Sequence, residues 1–402
     1  MTVTERVDLT ELDGSGKTLV LDDALADALN ATGLVGAARR EDGQWHLTPR
    51  RNKVGAVRVG GLDVQVRPKV TVDRMLFMLG YARNPGFRPE DVSAGPDADL
   101  WPALAESLIR HVERALAPGV LEGYVLTQDA LPVVRGRIRL GDQFARRPGA
   151  LLPLEVSFDD HAVDIPENQI IRTALGRMMA VPRLTDDVRA RLGRLHGRLR
   201  GARTLPIGAA PPPWYPNRRN ARYVPALRLA DLIVQQQSAE FGPGGVDMAA
   251  FVVDMWKVFE DFVSVALREA LAGYGGHTEH QYESHLDEEK RLRLRPDVVH
   301  LVDGKPIVVF DAKYKLESSS SRYPEADSYQ MLAYCTALQV STAWLVYAEG
   351  TTQREHRVRN STFSIVHYPL DLSASPHDLL AQVADLAAAA MAVRPALAGL
   401  QN

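Results

Sequence analysis

The sequence predicts an α/β multidomain chain. A β-rich, small barrel-like N-terminal domain with helices is followed by a helical/mixed middle region and a C-terminal α/β/α sandwich. Three observations carry this. Short alternating apolar runs broken by glycines fill residues 1–125, arginine-rich helical patterns fill 126–245, and strands alternate with helices over 246–402. At 402 residues the chain is long for a single core, so these three stretches are expected to be separate domains.

Hydrophobic residues make up 46% and charged residues 24%, as in ordinary globular proteins. The net charge of −3 excludes a molecule that is basic throughout, so any nucleic-acid contact must come from local patches. No apolar run approaches membrane-spanning length, and the N-terminal MTVTERVDLTELDG lacks a signal peptide's apolar core. The single cysteine, Cys335, cannot form an intrachain disulfide, which fits a reducing compartment. A cytoplasmic protein with no membrane contact is expected.

In the N-terminal part, Thr18–Leu21 reads as a strand and 22–32 as a short helix ending at Gly33. Further strands are expected at 34–38, 45–48, 54–59 and 62–66, the last two joined at Gly60-Gly61. Helices follow at 72–82 and 100–116. This part shows no catalytic constellation and is read as a contact for another protein.

In the middle region, Leu152–Phe158 reads as a strand entering Asp159-Asp160-His161, taken as turn chemistry. Asp164 is expected to cap a helix with Pro166 near its first position. Arg183 to Arg222 is the most basic segment, with Trp214 and Tyr215 after a triple proline. Arg198, Arg200, Arg203, Arg218 and Arg219 are candidate DNA contacts, because phosphate binding needs cations and aromatic rings stack on bases. A helix over 224–241 then meets Gly242-Pro243-Gly244-Gly245, a strong breaker.

The C-terminal part centres on PDVVHLVDGKPIVVFDAK, residues 296–313. Asp303-Gly304 suits a two-residue hairpin turn between two apolar strands. Alternation puts Asp311 and Lys313 on one face, and the hairpin partner brings Asp297 beside them. Carboxylates with a lysine on a rigid sheet suit Mg²⁺, which takes one or two protein carboxylates and keeps several waters; Mn²⁺ can substitute. Upstream, a helix over 251–272 has an apolar stripe at Val252, Trp256, Phe259, Val263, Ala266 and Ala270, with Glu260 at its margin. Downstream, a helix over 325–338 puts Gln330 and Tyr334 on one face. Ser318–Ser321 reads as a polar insert and 377–393 as a closing helix. The histidines at 277, 280, 285 and 300 lack zinc-site spacing.

Glu260, Pro296-Asp297, Asp311-Ala-Lys313 and Gln330-x-x-x-Tyr334 together resemble the PD-(D/E)xK nucleases. With Arg67-Pro68-Lys69, Arg135-Gly136-Arg137 and Asp164-x-Pro166-x-Asn168 the chain is similar to McrC-type proteins, the nuclease subunits of McrBC 5-methylcytosine restriction systems. The resemblance implies a Mg²⁺-dependent DNA endonuclease of antiviral defence. Such subunits work on an McrB-like AAA+ GTPase ring, whose hydrolysis they stimulate and which reads the modified cytosine in double-stranded DNA. It also implies site roles. Asp297, Asp311, Glu260 and the Ala312 carbonyl would hold the metal, Lys313 would serve the attacking water, Gln330 would orient Lys313 or a phosphate, and Tyr334 would lie on the DNA. No G-x-x-x-x-G-K-[ST] occurs, so the chain is not itself the GTPase. Two other readings compete: a non-cleaving adaptor of an NTPase ring, and a stand-alone DNA repair nuclease.

Overall fold

The computed structural model describes residues 5–11, 14–83, 85, 87, 100–181, 184–206, 208–241, 247–314, 325–350 and 352–392. The Gly242–Gly245 breaker and the Ser318–Ser321 insert lie outside them. The chain forms a mixed α/β structure of several sheets, grouped into two compact units. Residues 1–100 fold with 252–402, and 101–251 form the other unit, in place of three consecutive domains. The reason is long-range pairing, which local patterns do not announce.

In the first unit, the N-terminal strands divide between two sheets. Lys17–Leu19, Trp45–Pro49 and Val35–Arg39 make one antiparallel sheet. In the second, Glu5–Thr10 runs parallel to Leu62–Arg67, which pairs antiparallel with Lys53–Val59 across a turn where Gly60 has φ +56°. The helix Asp23–Ala31 is capped by Asp22, whose carboxylate accepts from Leu25 N at 2.7 Å.

The second half of this unit is a six-stranded sheet. Its order is His277–His280, Val298–Val302, Lys305–Lys313, Thr342–Tyr347, Ser364–Pro369, Arg354–Arg357. Asp303 and Gly304 take φ +52° and +73°, the left-handed pair of a tight hairpin. Lys305–Lys313 is parallel to Thr342–Tyr347, so a crossover is required, and helix Glu325–Leu338 supplies it. Thr342–Tyr347 is buried at every position, as a strand covered on both faces must be. Met331 and Tyr334 of the crossover helix pack with Val299, Val309 and Leu345. On the other side, helix Met255–Leu271 brings Phe259 to Tyr314, ring centroids 6.0 Å apart.

That helix begins at Met255, four residues later than the pattern suggests, because the run up to Asp254 stays extended. Its buried face is Met255, Val258, Phe259, Phe262, Val263, Ala266 and Leu267, and Trp256 is 46% exposed instead of part of the stripe. Phe262 meets Phe77 and Tyr81 of helix Val72–Arg83 at 6.0 and 5.6 Å. Tyr314 donates to the buried Glu11 carboxylate at 3.0 Å. Phe262→Ala should destabilise this unit by about 3–5 kcal/mol, read as an earlier midpoint in chemical denaturation.

In the second unit, strands Gly123–Leu131, Leu154–Ala162 and Arg137–Ile138 form one sheet beside helices Pro166–Met179, Asp186–Arg198 and Val224–Gln236. Asp159-Asp160-His161 is strand rather than turn, paired with Leu126, Val125 and Tyr124. Asp164 is not the helix cap, since Ile165 occupies that position. Its carboxylate instead accepts from Gln169 Nε2 at 2.8 Å and Arg203 N at 2.7 Å. The last helix ends at Gln236 and the chain continues as strand Gln237–Phe241.

Candidate active site

The hairpin delivers the acidic residues as its alternation requires. Pro296 is buried ahead of Asp297, whose Oδ2 accepts from the Ala312 amide at 2.7 Å. That bond fixes the end of one strand against the next. Asp311 is 1% exposed and forms an ion pair with Lys313, two residues on and on the same face. Glu260 comes from helix Met255–Leu271 and is half-buried. An open cleft of about 440 Å³ is lined by Glu260, Asp297, Ala312 and Lys313. Tyr314, Trp256, Arg51 and Asn52 complete its wall.

The electrostatics are unfavourable as they stand. Burial, then the nearby Asp311 carboxylate and Glu260, push Asp297 up to about 8. Asp311 is also raised, chiefly by burial and against the pull of Lys313. For Lys313, burial opposes its charge, but Asp311, Asp297 and Asp327 outweigh it and hold the ammonium above its ordinary range. The buried Oδ2 of Asp311 is held by the Lys313 ammonium. Buried carboxylates of this kind are relieved by a cation.

The residues present fit a hard divalent ion: the Asp297 carboxylate and the Ala312 backbone line an opening wide enough for water, and the buried Asp311 carboxylate lies near Asp297, joined to Lys313 of the same wall. Among the described residues no three His, Cys, Asp or Glu side chains form a group that could hold a metal, so Glu260 does not complete a cage with the two aspartates. Its Oε1 is engaged by Gln281 Nε2 at 2.7 Å.

Gln330 does not reach Lys313 or the cleft wall. Its amide donates to Tyr334 Oη at 2.7 Å, and that hydroxyl donates to Asp311 Oδ1 at 3.5 Å. Tyr334 is 1% exposed within the core, so the expected contact with DNA is corrected to a contact with Asp311 from behind. Burial first, then Asp311 and Asp297, raise its phenol, which keeps it a donor.

In the second unit, the candidate DNA-contacting arginines are exposed, yet most are engaged locally. Arg198 donates to Leu116 O at 2.6 Å, Arg219 to Glu122 O at 3.3 Å and Arg200 to Gly197 O at 3.4 Å. Arg203 pairs with Asp164 at 2.6 Å. Arg218 is exposed on the turn before Asn220.

Gln281 and Asp327 were not singled out from sequence. Gln281 sits at φ +48°, its N–H donates to Asp297 O at 2.8 Å, and its amide holds Glu260. No local pattern marks it. Asp327 is buried in the first turn of the crossover helix and accepts from Tyr347 Oη at 3.3 Å. Its place three residues before Gln330 on one helix face was the available signal. Gln281→Leu should free Glu260, weaken divalent-ion binding about 3–10-fold and leave the fold intact. Titration calorimetry with Mn²⁺ checks this, and unchanged affinity would remove Gln281 from the site.

A family model described as "McrBC 5-methylcytosine restriction system component" matches residues 49–348. Among curated sequences none matches. The chain shares 17% identity and a TM-score of 0.58 with a structure from Thermococcus gammatolerans, over 94% of this chain and 98% of that one. That structure is a refined half-complex of McrB AAA+ hexamers with bound McrC. A second structure, the cryo-EM McrBC complex of the same organism, matches at 19% identity and TM-score 0.38, over 68% and 90% of the chains. Protein VC1899 from Vibrio cholerae matches at 12% and 0.27, over 91% and 62%. Only the first likeness supports an argument, and it concerns the fold.

Proposed function

Since the chain belongs to the family of McrBC 5-methylcytosine restriction system components, we propose that it is the cutting subunit of such a system, a Mg²⁺-dependent DNA endonuclease of the PD-(D/E)xK type. The observation that carries this reading is that Asp297, Lys313 and Glu260 line one cleft, with Asp311 buried and ion-paired to Lys313. Asp297, Asp311 and the Ala312 carbonyl would hold the ion, with Glu260 joining through water. When bound, the ion neutralises phosphate charge and makes an attacking water more acidic.

The remaining chemistry belongs to the chain. Lys313 carries its proton at Nζ beside Asp311, where it can orient water or meet charge growing on the phosphate. Asp297 is positioned by the Ala312 amide, and Asp311 by the hydroxyl of Tyr334, itself oriented by Gln330. Gln330 thus acts through Tyr334 rather than on Lys313 or phosphate.

The partner in this reading is an McrB-like AAA+ GTPase ring, as the related archaeal McrC binds McrB hexamers. The ring would select DNA carrying modified cytosine, and this chain would stimulate its GTP hydrolysis and act in the cytoplasm. The exposed Arg218, with Arg198, Arg200, Arg203 and Arg219, would add phosphate contacts in the second unit. The test combines the chain, its ring, GTP and Mg²⁺ with methylated and unmethylated plasmid. Cutting of the methylated plasmid alone is expected. An assembled, GTP-hydrolysing complex that leaves both intact would make the chain an adaptor.

A further inference from the structure

Arg51 and Trp256 occupy the cleft wall without serving any part of the chemistry described so far. Arg51 is exposed and has no ion pair or hydrogen bond among the described residues. Its mount is rigid. Asn52, the next residue, has φ +59°, and its carbonyl accepts from Met255 N at 2.9 Å. One residue further, Lys53 is ion-paired with Asp254, at the cap position of the same helix. The turn is therefore tied twice to the start of the helix that carries Glu260.

Trp256 lies one position into that helix. Phe259 and Phe262 on the same helix are fully buried, whereas the Trp256 indole is 46% exposed and borders the cleft. An exposed indole is costly to solvate and suits a flat, apolar partner. Three acidic residues line or back the cleft, a poor setting for an anionic ligand unless cations accompany it. Lys313 is occupied by Asp311, which leaves Arg51 as the free guanidinium of the wall among the described residues.

We propose that Arg51 and Trp256 form the substrate-gripping wall of the cleft, Arg51 binding a backbone phosphate beside the one attacked and Trp256 packing on the adjoining sugar and base of a DNA strand. The proposal deepens the nuclease reading and rests on it. It gives the N-terminal part, expected to contact only protein, a direct role toward DNA. A guanidinium fork matches phosphate oxygens, and an aromatic face accepts any base, so the grip is independent of sequence. Sequence selection is left to another component.

The test reads DNA binding and cutting separately. The full chain is titrated with a labelled 12-base-pair duplex in Ca²⁺ at several salt concentrations, and the complex with its ring is assayed for cutting in Mg²⁺. Arg51→Ala should weaken binding about 5–20-fold and reduce the slope of log K against log salt by about 0.7–0.9. It should raise KM while changing kcat less than about twofold. Arg51→Lys should recover the slope, and Trp256→Ala should weaken binding with the slope unchanged, while Trp256→Phe recovers most of it. Both sites are exposed, and an unchanged melting temperature confirms that the variants fold. An unchanged slope and KM for Arg51→Ala, no DNA binding by the parent chain at low salt, or loss of ring association instead of DNA affinity would each overturn the inference. A parent complex that never cuts would count against the nuclease reading, whereas a cutting complex indifferent to Arg51 would count against this inference alone.

Discussion

Asp311→Ala lowers the cleavage rate of the ring-bound complex by about 10²–10⁴-fold and leaves assembly and GTP hydrolysis unchanged, if the cleft is a nuclease centre. The size of the effect follows from what Asp311 does at once. It holds Lys313 by an ion pair, receives the Tyr334 hydroxyl and supplies one of the two central carboxylates. Its removal leaves Lys313 unanchored and takes away an oxygen for the cation, so the losses compound instead of adding. Single-turnover cutting of methylated plasmid, with gel filtration to verify the complex, is the measurement. A variant that cuts within threefold of the parent would place the chemistry elsewhere.

The second large effect concerns stability. Asp297 is held near 8, against an ordinary value of 3.8 for aspartate. A folded-state pKa above the unfolded one means that stability is fully present below the unfolded value and is lost as pH rises toward about 8. Each unit is worth about 1.4 kcal/mol, so the ionised carboxylate costs several kcal/mol at pH 8. Asp297→Asn keeps an oxygen for the Ala312 amide and removes the titration. Its melting temperature should exceed the parent's by little at pH 5 and by several degrees at pH 8.5 in the absence of divalent ions. Millimolar Mg²⁺ should raise the parent's melting temperature at pH 8 and the variant's far less. A difference that stays flat across pH would show that Asp297 is not held protonated.

The core of the site was legible because its signals are local. Period-two alternation put Asp311 and Lys313 together, an Asp-Gly turn set the hairpin, and helical spacing joined Gln330 to Tyr334. Legibility failed where tertiary contacts decide. Tyr334 looked available to DNA from spacing alone, and only the packing of Met331, Val309 and Leu345 around it shows that its hydroxyl faces inward. Gln281 owes its role to a left-handed backbone and two bonds to residues far along the chain. Within the arginine-rich segment the local engagements were not legible either: Arg198 and Arg219 donate to carbonyls and Arg203 to a carboxylate, although all three stay exposed. Charge composition cannot distinguish those uses.

The tie between residues 1–100 and 252–402 has a consequence for how the molecule is made. The faces of Phe77 and Tyr81 that meet Phe262, and the Glu11 carboxylate that meets Tyr314, emerge from the ribosome well before their partners. At ordinary elongation rates of about 5–20 residues per second the wait is about 9–60 s, during which early apolar surface stays uncovered. The cleft that holds Asp297 and Lys313 therefore matures among the last events of synthesis. A fragment that starts after the inserted unit would carry the aspartates and the lysine but expose one side of its main helix. Excised that way, it should precipitate and should stay soluble only when the first hundred residues are supplied alongside it.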